Sequence, residues 1–152
     1  MNILFMGAEL TLFFFIFHPP FFIQTNPFLI ITFILSILLA TIMHFYIGFS
    51  LSLIGFWSPE TWAPRFIFFI IVTFFSGWTF PLDILPQSIY EALKYFPFTY
   101  LIFFPVKIYL GTLNNFEMFS GLAICAIWTV IIYFLTKTFW LKGLRSYTAA
   151  GK

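Results

Sequence analysis

"FPLDILPQSIYEALKYFPFTYLIFFPVKIYLG", residues 80–111, lies between two strongly apolar segments and is itself mostly apolar, yet it carries four prolines (Pro81, Pro86, Pro97, Pro105) and four charged residues (Asp83, Glu91, Lys94, Lys107). It is too hydrophobic for an ordinary loop and too broken for a membrane-crossing helix. Lipid offers no hydrogen-bond partner, so broken backbone at membrane depth must pack on protein or line a wet cavity. The proline spacing cuts the stretch into pieces. Residues 87–96 read as a short amphipathic helix with Ile89, Leu93 and Phe96 on one face. Residues 105–110 read as a second, with Pro105 in its first turn and Gly111 just past its end. A re-entrant helical hairpin is the simplest arrangement.

Composition points the same way. The chain has 152 residues, 62% of them hydrophobic and 8% charged, with 26 Phe. A soluble domain carries about 25% charged residues. A domain of this size leaves too much of its chain exposed to hide so much apolar surface from water, so the solvent is lipid. The net charge of +2 is too small to mark a nucleic-acid partner, and none is expected. The single cysteine, Cys125, lies in an apolar run and reads as a small core residue.

Four crossing segments are expected. Residues 28–57 are uncharged throughout and exceed the about 20 residues that a core of about 30 Å requires. Residues 118–136 are also uncharged. Residues 3–17 form a shorter run around Glu9 that ends at "HPPFFIQTNP"; lacking Lys and Arg, it reads as a retained membrane segment rather than a secretory signal. Residues 66–78 run into Pro81 after about 22 Å of helix, short of a full crossing. The fold class is therefore an all-α integral membrane protein: four transmembrane helices, with the hairpin between the third and fourth, in a single domain over residues 1–152.

Lys and Arg favour the cytoplasm. With four spans, Arg65, Lys137, Lys142, Arg145 and Lys152 share one side, and Lys94 and Lys107 of the hairpin lie on the other. Both termini are expected in the cytoplasm and the hairpin outside the cell membrane. Trp57, Trp62 and Trp140 then form an aromatic belt at one interface. Ser58-Pro59-Glu60 reads as a helix start, with Ser at the N-cap, Pro at the first position and an acid in the first turn.

His44, in mid-span, is expected to bond a nearby Ser, Thr or backbone group, and Glu9 to reach water at its end of the first helix. The Phe runs read as lipid-facing bulk. No catalytic residue, metal ligand set or cofactor site is expected: the sequence has no paired His at zinc spacing, no nucleophile elbow and no P-loop, since its only Gly-Lys is Gly151-Lys152. Energy for any transport must come from another polypeptide.

A short span, then "SGWTFPLDILPQSIYEALKYFPFTYLIFFPVKIYLG", then a last span and the basic tail "WLKGLRSYTAAGK", resembles the permease subunit of type-2 ATP-binding-cassette (ABC) exporters. The turn "IGFWSPETW", which contributes Trp57, Glu60 and Trp62, is similar to an aromatic–acid–Trp turn of one branch of that family. The resemblance implies a six-span permease that dimerises with a second copy or a paralogue in membrane lipid and docks onto separate ATPase subunits. It implies an external gate formed by the hairpin, here Pro81, Asp83, Pro86, Pro97, Phe98, Tyr100 and Pro105, and a cytoplasmic turn at Trp57, Glu60 and Trp62. The match covers the last four spans. The first two, and the loop that in this family carries the main ATPase-docking helix, have no counterpart, as a truncated gene, a split gene or a misplaced start would produce. The expected function is the membrane-spanning component of an exporter of a hydrophobic or amphiphilic substrate. The alternatives are a stand-alone structural or regulatory membrane protein and, against the missing catalytic pairs, an intramembrane enzyme.

Overall fold

The structure, a computed structural model, describes residues 2–18 and 22–146. Every regular element among them is helical: α1 (Asn2–Phe17), α2 (Pro27–Ser52), α3 (Trp62–Phe75), α4 (Gln87–Leu93), α5 (Phe103–Tyr109) and α6 (Asn115–Ser146). Short 3₁₀ turns at Leu53–Phe56, Leu82–Ile84 and Pro97–Tyr100 join them. Residues 19–21, which include the paired prolines, and the last residues of the tail, Tyr147 and Lys152 among them, lie outside the described residues.

α2 and α6 form the centre of the bundle. Asn26 caps α2 by accepting the Phe28 N–H at 3.0 Å, and Pro27 takes the first helical position, where its missing N–H costs nothing. The pair Asn26-Pro27, read from the sequence as a break, is thus a helix start. The buried residues of α2 are Thr32, Ser36, Ala40, Met43 and Ile47, a stripe at helical spacing. α6 answers with Met118, Gly121, Cys125, Thr129, Ile132, Thr136 and Gly143. Both stripes are rich in small residues. Lipid provides no hydrophobic drive between helices, so close backbone approach and hydrogen bonding hold them together. The ring of Phe104 occupies the space a side chain at Gly121 would need, its Cε2 2.2 Å from the position of that missing Cβ. Phe56 does the same at Gly143, at 2.3 Å. Ser50 Oγ and Thr136 Oγ1 share a hydrogen bond of 2.6 Å across the pair. Cys125 is fully buried, as its sequence context indicated.

The outer helices are different. Every described side chain of α1 is exposed except Phe14, and Glu9 is among the exposed ones. α3 buries none. Their apolar surfaces, including Phe13, Phe15, Phe66 and Phe69, face outward. Among the described residues two stretches have the length and apolarity to cross a membrane, Pro27–Phe56 and Asn115–Arg145. α1 and α3, of 16 and 14 residues, reach about 24 and 21 Å, less than the about 30 Å hydrocarbon core. α6 runs past the apolar stretch 118–136 as one helix of 32 residues, carrying Lys137, Lys142 and Arg145 on its far end.

Three local expectations are corrected. α3 does not start at Ser58-Pro59-Glu60. It starts at Trp62, with Pro64 in its first turn, while the Ser58 hydroxyl closes a small turn by accepting the Glu60 N–H at 3.2 Å. α4 stops at Leu93, so Phe96 lies outside it; Leu93 is buried, whereas Ile89 and Phe96 are 48% and 50% exposed. The buried side of α4 is set by Leu93 packing with Leu82 and Phe103, with Tyr90 beside them, rather than by an Ile89–Phe96 stripe. α5 starts two residues earlier than the proline implied, at Phe103.

Candidate functional site: a hairpin fastened to the central helix pair

The segment from Ser76 to Gly111 folds back on itself between α3 and α6. Gly77 opens it at φ +84°, a left-handed conformation that favours glycine, and a Cβ there would stand 2.9 Å from Phe103 Cβ. Gly111 closes it at φ +66°. The Phe103 N–H donates to the Ser76 carbonyl at 2.9 Å, which joins the end of α3 to the start of α5.

Each proline begins a piece. Pro81 is extended before the turn at Leu82–Ile84. The Pro86 carbonyl accepts the first N–H groups of α4, from Ile89 and Tyr90. Pro97 takes the first position of the turn Pro97–Tyr100. Pro105 sits in the first turn of α5, where a backbone N–H has no intrahelical partner. Helix breaking at Pro105 therefore sacrifices no helical hydrogen bond, contrary to a reading of the prolines as pure interruptions. Pro97 and Pro105 are buried, and Pro81 and Pro86 are exposed.

The other hairpin residues have distinct surroundings. Asp83 accepts from Lys107 Nζ at 2.6 Å, and that ammonium also lies 5.4 Å above the Phe103 ring. Phe98 turns toward α3, its ring 5.9 Å from that of Phe68. Tyr100 is 4% exposed; its hydroxyl donates to the Lys94 carbonyl at 2.6 Å, and its ring meets Phe104 edge-on. Burial pushes the Tyr100 phenol up to about 12. Burial is the largest single influence on Lys94 and pulls it down, but the hydrogen bond to Glu91 together with the charges of Tyr90, Glu91 and Glu117 outweighs it, and the ammonium titrates above its ordinary range. Tyr100, Lys94 and Lys107 share a cavity of about 220 Å³ with Glu117 of α6, whereas Asp83, Phe98 and the four prolines lie outside its lining.

Further contacts fasten the hairpin to α2, α6 and the segment before α2. Trp128 Nε1 of α6 donates to the Tyr95 carbonyl at 3.0 Å. Gln24 Nε2 donates to the Tyr109 carbonyl at 2.8 Å. The Tyr109 ring lies 5.1 Å from Phe33 of α2. Phe104 fills the notch at Gly121. Gly121 and Trp128 are the residues that sequence reasoning missed; an isolated glycine inside an apolar helix was the available signal.

The turn between α2 and α3 lies at the other end of α2. Arg65 donates to Ser52 Oγ at 3.0 Å, tying the two helices. Trp62 stacks on Phe66 with centroids 5.1 Å apart, and Trp57 stands edge-on to Phe56, which in turn meets Trp140. Glu60 is exposed. Trp57, Trp62 and Trp140 are thus gathered at one end, with the hairpin at the other.

His44 does not make the bond expected of it. It lines a groove between α2 and α3, and its imidazole has no hydrogen-bond partner among the described residues. Among the described residues no group of three His, Cys, Asp or Glu side chains is placed to hold a metal ion.

No curated protein and no solved structure matches the chain. A family described as ABC-2 family transporter protein matches it over residues 8–151, nearly the whole sequence. That family is one of membrane proteins that work with an ATP-binding partner. Apolar helices, a hairpin locked to their one end and a match across the whole bundle lead to one conclusion: the chain belongs to the ABC-2 transporter family.

Proposed function

We propose that this chain is the membrane-spanning permease component of an ABC exporter that moves a hydrophobic or amphiphilic substrate and draws its energy from a separate ATPase subunit. The observation that carries the reading is the polarity of the bundle. One end of the α2–α6 pair holds a hairpin fastened to both helices through Trp128 and Tyr109, and the other holds the tryptophans and the basic end of α6.

In this reading α1, α2, α3 and α6 each cross the bilayer. The hairpin re-enters from the outer face and makes up the depth that α3 lacks. The short α1 is matched by local thinning of the bilayer. Basic residues place the turn at Trp57–Trp62 and both chain ends in the cytoplasm of the cell. The outward apolar faces of α1 and α3 are available to lipid and to a second permease copy or a paralogue. The hairpin residues Pro81, Asp83, Pro86, Pro97, Phe98, Tyr100 and Pro105 form an outer gate. Trp57, Glu60 and Trp62 face the ATPase.

The assembly tests this. Solubilised gently from native membranes through a tag on this chain, the complex is expected to contain a P-loop ATPase in fixed stoichiometry and to hydrolyse ATP. Recovery of the intact chain with no ATPase would contradict the proposal and favour a stand-alone structural or regulatory protein.

A further inference from the structure

Between α2 and α3 lies a cavity of about 450 Å³, larger than the one beneath the hairpin. Its walls are one face of each helix. Ile37, Ala40, Thr41 and His44 follow helical spacing on α2, and Phe69, Val72 and Thr73 follow it on α3, with Ser76 capping the end of that helix. Each face runs about 10 Å along its helix. Leu101 and Ile102 of the hairpin and Trp78 also contribute to its lining.

Most of this lining is apolar, and no Asp, Glu, Lys or Arg takes part. Within it, the hydroxyl of Ser76 is fully buried and has no hydrogen-bond partner. The backbone of Ser76 is satisfied, through Val72 and Phe103, so the orphan is the side chain alone. His44 and Thr41 also line the groove, but both are exposed. By contrast, Thr73 in the same groove bonds the Phe69 carbonyl of its own helix at 2.7 Å. An unpaired buried hydroxyl costs about 1–3 kcal/mol, and lipid cannot relieve it. A buried, unpaired hydroxyl with exposed polar neighbours in an otherwise apolar, uncharged groove is the pattern of a site whose partners arrive with a ligand.

We propose that this groove binds a single-chain amphiphile with an uncharged hydrogen-bonding head, a hydroxyl or a carbonyl. The head meets Ser76 and His44, each able to donate or accept. The chain lies against Ile37, Val72 and Ile102. A charged head is disfavoured because nothing in the groove pairs it. The volume falls within the about 300–1,000 Å³ of small-ligand sites. The site rests on this geometry and not on transport.

The test uses the chain reconstituted in phosphatidylcholine vesicles, with a long-chain alcohol bearing a photoactivatable diazirine in its tail. Adducts mapped by mass spectrometry are expected to concentrate on the facing sides of α2 and α3, at least about five-fold over the outward face of α1. Thr41→Trp, which fills the groove, and Ser76→Ala, which removes the orphan hydroxyl, are each expected to lower that labelling several-fold. Ser76→Ala is expected to leave the thermal stability of the ligand-free protein unchanged or raised, because it removes an unpaired group. A chain-matched diazirine alkane is expected to label without concentration. Uniform labelling by the alcohol, or equal concentration of the alkane, would overturn the proposal. So would a loss of ligand-free stability in Ser76→Ala, which would mean that the hydroxyl already has a protein partner. Absence of groove adducts together with disulfide joining of two copies through Thr41→Cys would assign the groove to a second copy instead.

Discussion

The amide of Phe103 donates to the carbonyl of Ser76 at 2.9 Å, and that bond closes the hairpin against the end of α3. It depends on Gly77, whose φ of +84° lets the chain turn and whose missing Cβ makes room for Phe103. Gly77→Ala is expected to destabilise the protein by about 1–3 kcal/mol, since it combines a left-handed conformation with a close contact. Gly48→Ala is the control. Gly48 lies within α2 with nothing within 4 Å of the added carbon, so a gain of about 0.5–1 kcal/mol is expected there. Thermal unfolding of both variants in one detergent checks the pair.

The bond between Ser50 and Thr136 joins α2 to α6 in the absence of a hydrophobic drive, and Thr136 also lies 3.3 Å from the Tyr46 carbonyl. Thr136→Val keeps the shape and removes the hydroxyl. Interhelical bonds of this kind contribute about 0.5–2 kcal/mol. A loss in that range is expected by unfolding in a mixed-detergent titration. Ser120→Ala is expected to change little, because Ser120 is half-buried and bonds only its own helix, at Glu117.

Asp83 and Lys107 form a 2.6 Å ion pair whose acid is 41% exposed. Exposed pairs contribute about 0–1 kcal/mol and weaken with salt. Asp83→Asn is therefore expected to cost less than about 1 kcal/mol, with the difference from the unsubstituted chain shrinking at high ionic strength.

The raised value for Tyr100 makes the hairpin sensitive to alkali. Its phenol ionises at about 12 in the fold, against the ordinary value of 10.0 once unfolded. Below the ordinary value both states hold the proton and pH has no effect through this group. As pH rises from there toward the folded value, the unfolded state loses its proton first, and stability falls. Tyr100→Phe is expected to remove that part of the alkaline decline, read as the difference between the two unfolding curves across that window. An unchanged curve would mean that Tyr100 is solvated.

Much of this architecture was legible in residues. The uncharged stretches gave α2 and α6, and the prolines with Gly111 gave the pieces of the hairpin. What they could not give were the partners. Whether Leu93 or Ile89 faces inward depends on where Leu82 and Phe103 arrive, and no local periodicity in a helix of seven residues decides that. The start of α3 was misjudged because two prolines, Pro59 and Pro64, both suit a helix start, and the second one prevailed. Gly121 and Gly143 were passed over because a glycine shows its purpose only when the ring opposite is known, here Phe104 and Phe56. The bond to a nearby Ser, Thr or backbone group expected of His44 does not form, because its side chain is exposed on the α2–α3 groove.

The central claim is that the hairpin faces one side of the membrane while the turn at Trp57–Trp62 and the end of α6 face the other. Single cysteines at Gln87 in the hairpin and at Leu144 near the end of α6, in a Cys125→Ala background, read this directly with a membrane-impermeant thiol reagent on intact cells. Gln87 and Leu144 are both exposed, so the membrane alone decides which is reached. The account predicts that the cysteine at 87 is labelled from outside and the cysteine at 144 only after permeabilisation. Labelling of position 144 from outside, or of both positions alike in intact cells, would contradict it.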